Sequence, residues 1–165
     1  MSEYEFPEVF VEGVEGDYYI VYKDGEYFFS KTPGGEKYYG HILYEDVVEK
    51  AVDLVEARMK KSIIVIPKFK SGGELEAILV EEGTSICLME IKGADPIVFV
   101  SEGDEVEERD KIAYIITGKG EVRVYKSVCS GIVTLVINFP WERPERYILV
   151  VVSRDDARRI TVKRS

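Results

Sequence analysis

The chain has 165 residues, enough to bury a substantial core in one domain or in a domain with an appendage. Its formal charge of -9 repels phosphate backbones and argues against general nucleic-acid binding. No apolar run reaches the roughly 20 residues of a membrane-spanning helix, and the acidic start MSEYEFPEVF has no charged-then-apolar leader, so no membrane association and a cytoplasmic protein are expected. Gln is absent, Asn138 is the one Asn, and Glu, Lys, Val and Ile are abundant, a composition expected of a thermophilic source.

The first third reads as a β-meander. FPEVFVEGV, DYYIVYKDG and EYFFSK are rich in Val, Ile, Tyr and Phe and are separated by turn residues. Asp24-Gly25 supplies the positive φ angles of a type I′ hairpin turn. TPGGEKYYGH, residues 32–41, reads as a Gly/Pro-rich loop. One helix is predicted over residues 44–61, where Val47, Val48, Ala51, Leu54, Val55 and the stem of Arg58 recur at helical spacing. Glu45 and Asp46 in its first turn and Lys60 and Lys61 in its last suit the helix dipole. Its apolar stripe is expected to pack on the N-terminal sheet. From residue 62 the chain is again strand and turn, the pattern of a compact barrel or sandwich. The predicted fold is mainly β (α+β), with an N-terminal α+β unit over residues 1–66 and a β-domain over 67–165. The end, RRITVKRS, reads as a solvated basic terminus, with contact to an acidic partner or RNA as the alternative.

Few residues suggest chemistry. His41 is the one histidine, and a general acid/base role would need Glu45 or Asp46 as its partner; a loop histidine without catalytic duty is the expectation. No nucleophile–base pair is evident, and one histidine cannot build a His-rich metal site. The TPGGEK and SGGE turns lack the spacing of a phosphate loop. Cys87 and Cys129 read as small buried hydrophobes, with a single disulfide left open. Aromatic clusters at 18–29, 38–44 and 139–147, the last with Trp141, suit packing or an oligomer interface. Edge strands of the meander could pair across a two-fold axis as a homodimer.

One stretch is more specific: IKGADPIVFVSEGDEVEERDKIAYIITGKGEVRVYKSVCSGIV, residues 91–133. It resembles a biotinyl/lipoyl-type carrier domain, a barrel-sandwich hybrid. Gly93 stands at the first family glycine. Glu102-Gly103-Asp104 with Val106 match the EGDxV turn, and Asp110 with Ile112 match GDxL, Arg109 replacing the usual Gly. Ser130-Gly131-Ile132-Val133 match SGxV. The resemblance puts Lys119 at the position of the modified lysine, with one extra hairpin residue, assigned to Gly120, before Gly131. Its neighbours are Gly118 and Gly120, whereas biotinylated hairpins read like MKM and lipoylated ones like DKA. The whole chain also resembles the archaeal domain-of-unknown-function 2118 family, which implies a lipoyl-like fold and no established activity.

The function expected is a non-catalytic binding or scaffold module with an unknown protein partner and no cofactor. The first alternative is a carrier bearing biotin or lipoate on Lys119. The second is an enzyme with a site near His41.

Overall fold

Strands dominate because β-branched and aromatic residues come in short runs bounded by turn residues. The computed structural model describes residues 6–70 and 72–164; the expectation about a leader falls partly on residues outside that description. The first strands are β1 (Phe6–Glu12), β2 (Tyr19–Lys23), β3 (Glu26–Ser30), β4 (Lys37–Ile42), β5 (Val52–Asp53), β6 (Arg58–Met59), β7 (Ile63–Phe69) and β8 (Leu75–Val80). Then follow β9 (Cys87–Val98), β10 (Glu105–Val106), β11 (Lys111–Ile116), β12 (Val122–Lys126), β13 (Gly131–Phe139), β14 (Glu145–Val152) and β15 (Arg158–Arg164). The only helices among the described residues are a 3₁₀ turn at Tyr44–Asp46 and α1 at Val47–Ala51.

The chain forms two compact units, residues 1–85 with 155–165, and residues 86–154. The boundary expected at 66/67 falls inside β7. Strand pairing explains why: β7 is bonded to both β1 and β8, so no cut there leaves a sheet whole.

Unit 1 is a closed barrel in the order β1-β4-β2-β3-β15-β8-β7. The Asp24-Gly25 turn forms as expected, with φ of 52° and 79° between β2 and β3. Two segments expected to be irregular are strands. KYYGHI is β4, paired between β1 and β2. RRITVKR is β15, inserted between β3, to which it runs parallel, and β8. The predicted solvated terminus is thus a barrel stave, and Val162 within it is fully buried. Among the described residues, closure pairs every meander strand on both sides.

Inward side chains alternate along every stave. Phe10, Ile20, Ile64, Ile66, Ala77 and Val162 fill the middle, and aromatic rings take over towards the ends. One end gathers Tyr22, Tyr27 and Tyr39, the hydroxyls of Tyr27 and Tyr39 pushed above the ordinary tyrosine range chiefly by burial. The other end is described below.

The predicted helix over 44–61 is cut short. After α1, the chain turns back as the β5–β6 hairpin, Val52 opposite Met59. Asp53 is the cause: its Oδ1 accepts from the backbone N–H of Val55 and Glu56, both at 3.0 Å, and so competes with the helical ladder. Ala57 then takes a positive φ of 52°. Val47 and Ala51 are buried and α1 lies against β1, as the stripe implied, but Leu54 and Val55 face solvent.

Unit 2 is a six-stranded sheet in the order β10-β13-β14-β9-β11-β12. Its core is built from Met89, Ile91, Val106, Ile112, Val133, Leu149 and Val151. Strand β9 runs through both the apolar CLMEI and PIV runs, with Asp95 between them at a φ of 44°. Long β9 lets one strand pair with β14 through its first half and β11 through its second.

If β15 closes the barrel, Val162→Asp places an unpaired carboxylate in the core. The expected loss of stability in urea unfolding is about 3 kcal/mol or more. A loss below about 1 kcal/mol would contradict a buried stave.

Candidate functional site

Two corners of one design position the hairpin that the sequence singled out. In Ser101–Asp104 the Asp104 carboxylate accepts from Ser101 N–H at 2.8 Å, and Asp104 N–H donates to Ser101 C=O at 3.1 Å. In Glu107–Asp110 the Asp110 carboxylate accepts from Glu107 N–H at 2.8 Å, and Asp110 N–H donates to Glu107 C=O at 3.0 Å. The third residue of each takes positive φ, 94° at Gly103 and 77° at Arg109. SEGD and EERD are therefore one turn used twice. Arg109 holds a backbone conformation that glycine adopts more cheaply.

The corners sit on the body of the sheet. Gly103 N–H donates to Val133 C=O at 2.7 Å, and Arg109 N–H to Ser127 C=O at 2.8 Å. Glu102 is half-buried in the first corner. Gly131 opens β13 where a Cβ would lie 2.3 Å from Val152 C=O, so no larger residue fits without a shift. Gly93 lies in β9, where a Cβ would come within 2.9 Å of the Ile115 side chain. Cys87 and Cys129 form a disulfide, settling the pairing left open above and tying the start of β9 to the loop before β13.

From these corners β11 and β12 run out as a hairpin. Gly120 N–H donates to Thr117 C=O at 2.9 Å and Thr117 N–H to Glu121 C=O at 2.8 Å. Gly120 has a φ of 80°, the left-handed bulge position of a three-residue hairpin loop. Lys119 is at the exposed tip. The hairpin has two unlike faces. Ile115 and Tyr125 turn towards the core. On the other face Tyr114 sits between Val124 and Ile97 in register, with Ile116 beside Val122. Phe99 packs on Tyr114 with ring centres 4.9 Å apart. Ile97, Phe99, Ile116, Val122 and Val124 are all exposed, Val122 to 61%. β12 is the last strand of the sheet, so its outer edge is unpaired among the described residues.

The second feature lies at the end of the barrel where β1 and β2 begin and β3, β7 and β15 finish. His41 is on β4, not in a loop, and its Nε2 meets the Glu8 carboxylate of neighbouring β1. The partner is thus Glu8 rather than Glu45 or Asp46: pairing of β1 with β4 brings it there from far away in sequence. Tyr18 stacks on His41 with centres 4.6 Å apart, and Phe10 meets the imidazole at 5.3 Å. Burial, then the Glu8 charge, push the Tyr18 hydroxyl up to about 12, so it stays protonated at neutral pH. Beyond Tyr18 opens a cleft of about 500 Å³, lined by Tyr18, Phe29, Ser30, Lys31, Phe69 and Arg164.

Among the described residues no group of three or more His, Cys, Asp or Glu could hold a metal ion, and no helix is long and apolar enough to cross a membrane. A family described as an uncharacterized protein conserved in archaea, domain of unknown function 2118, matches residues 4–154. The chain belongs to that family. No curated protein matches it.

In this member of the 2118 family, the residues of the carrier-like motif, Gly93, Glu102, Gly103, Asp104, Lys119 and Gly131, fall in unit 2, whereas His41 lies in unit 1. The cleft at the barrel end was not foreseen. Its only early signal was aromatic clustering at 18–29, because Phe69 and Arg164 arrive from distant strands.

Two substitutions test the corner geometry by thermal and denaturant unfolding. Arg109→Gly should stabilise unit 2 by about 0.5–1 kcal/mol through relief of the left-handed backbone; a loss of stability would mean the side chain matters more than the φ angle. Cys129→Ser should cost about 4 kcal/mol, since the bridge closes a loop spanning 42 residues of sequence. A cost near zero would show that the bridge constrains nothing in the unfolded chain.

Proposed function

We propose that this family member is a non-catalytic binding module whose second unit is a biotinyl/lipoyl-like scaffold used for docking rather than for covalent cargo. The observation that carries the reading is the exposed apolar face of β9, β11 and β12, continuous with the open edge of β12. An apolar patch of this kind on a polar surface marks an interaction site. Its charge indicates the partner. The β11–β12 hairpin carries Lys111, Lys119, Arg123 and Lys126 against Glu121, with Asp95 on neighbouring β9, in a chain whose net charge is -9. A protein segment that mixes apolar with acidic side chains and adds as a strand to β12 satisfies the edge, the patch and the charge together. The cytoplasm is the proposed compartment; the Cys87–Cys129 bridge is compatible with it in a thermophile, where intracellular disulfides occur.

A second reading makes Lys119 a carrier lysine. In its favour are the exposed tip and the open space around Gly118 and Gly120, where a built Cβ meets nothing. Against it stand those same glycines, which give a ligase no side chain to read.

Intact mass of protein purified from native cells separates the two. The docking reading expects the unmodified mass; an added mass localised to Lys119 establishes the carrier. Affinity capture from the same lysate then tests the surface. Val124→Asp should abolish capture and leave stability within about 0.5 kcal/mol, because the side chain is already exposed. Added salt should weaken capture by the wild type. A partner held equally by Val124→Asp contradicts docking at this face. If purified protein alone dimerises, and Val124→Asp prevents it, the occupant is a second copy.

A further inference from the structure

We infer that the cleft at the end of the barrel is a binding site for a small aromatic carboxylate, independent of the docking face of unit 2. Its volume of about 500 Å³ falls in the range of small-molecule sites. The walls are rings: Phe29 and Phe69 stand at 82° with centres 6.0 Å apart, and Tyr18 and Phe69 at 57° and 6.4 Å. Such tilted rings offer both faces and edges to a flat apolar guest.

Two cations set the sign of the guest. Arg164 lies over Phe29, its guanidinium carbon 4.7 Å from the ring centre, and donates to Lys70 C=O at 3.3 Å. That stacking fixes the guanidinium plane and leaves further N–H groups for a ligand. Lys31 follows β3 on the same rim. Among the described residues neither cation is in an ion pair, whereas Arg146, Arg154, Arg158 and Lys163 each have a carboxylate. Glu8, the larger acidic influence on Tyr18, is engaged by His41, and Asp17 reaches Tyr18 only as a weaker one. An anion entering the cleft thus meets two cations that have no ion pair among the described residues, and one carboxylate already held by a partner.

His41 supplies the readout, being the one histidine and stacked directly on Tyr18. The probe is 2-naphthoate, with neutral 2-naphthamide as the uncharged control. Both are titrated into the full chain while the His41 ring protons are followed by NMR and the heat by calorimetry. The expected result is a saturable shift of the His41 signals with naphthoate and affinity at least tenfold weaker for naphthamide. Arg164→Gln should weaken naphthoate about tenfold, the ordinary effect of losing one charge-assisted hydrogen bond. Lys31→Gln, exposed on the rim and uninvolved in the barrel core, serves as a second variant should Arg164→Gln perturb β15. Three outcomes overturn the inference: no saturable shift at His41, equal binding of the amide, or naphthoate affinity unchanged in both variants. The last would place the probe elsewhere, for example on the apolar face of unit 2. Val124→Asp, which removes that face, should leave the titration unchanged.

Discussion

Closure of the barrel by β15 is the constraint on which unit 1 depends. Seven staves close only because the chain returns after unit 2 and lays Arg158–Arg164 between β3 and β8. Without that strand β3 and β8 would each present an open edge, and Tyr27 and Leu79 would lose the wall that Val162 and Ile160 provide. The same strand delivers Arg158 to one end of the barrel, paired with Glu81, and Arg164 to the other, stacked on Phe29. One terminal strand thus completes the core and furnishes a cation to each mouth. Unit 2 is accordingly an insertion between β8 and β15 rather than a successor to unit 1.

Much of the fold is legible in local sequence. Alternation marks the strands, Asp24-Gly25 marks the first hairpin, and SEGD, EERD and TGKG mark the corners and tip of unit 2. What these have in common is that the residues making the structure are near neighbours. The helix over 44–61 misleads because periodicity counts apolar positions but not the Asp53 side chain, which offers the backbone a better local bond than the next helical turn. β4 and β15 mislead for a different reason. Glycine, lysine and arginine suit loops and tails in isolation, and only pairing with strands far away makes KYYGHI and RRITVKR extended and buried.

The same distinction governs the sites. The hairpin of unit 2 is local and was found from sequence. The cleft gathers Phe29, Phe69 and Arg164 from three strands and Tyr18 from the bend before β2, and the His41–Glu8 pair joins residues 33 apart in sequence. No spacing rule connects these positions, because the connection is the closed sheet. A search for motifs finds such a site only after the staves have been placed in order.

The two surfaces answer different physical demands. On unit 2 apolar side chains lie flat on an edge strand, a geometry suited to another polypeptide. At the barrel end rings and cations surround a concave space suited to a small ion. The measurement that tests the account most directly is native-state hydrogen exchange across residues 158–164. If β15 closes the barrel, its ladder amides exchange as slowly as those of β3 and β8, through opening of the whole unit. Rapid exchange of 158–164 beside protected β3 and β8 would make the segment a loose tail, and with it the core closure and both terminal cations would fall.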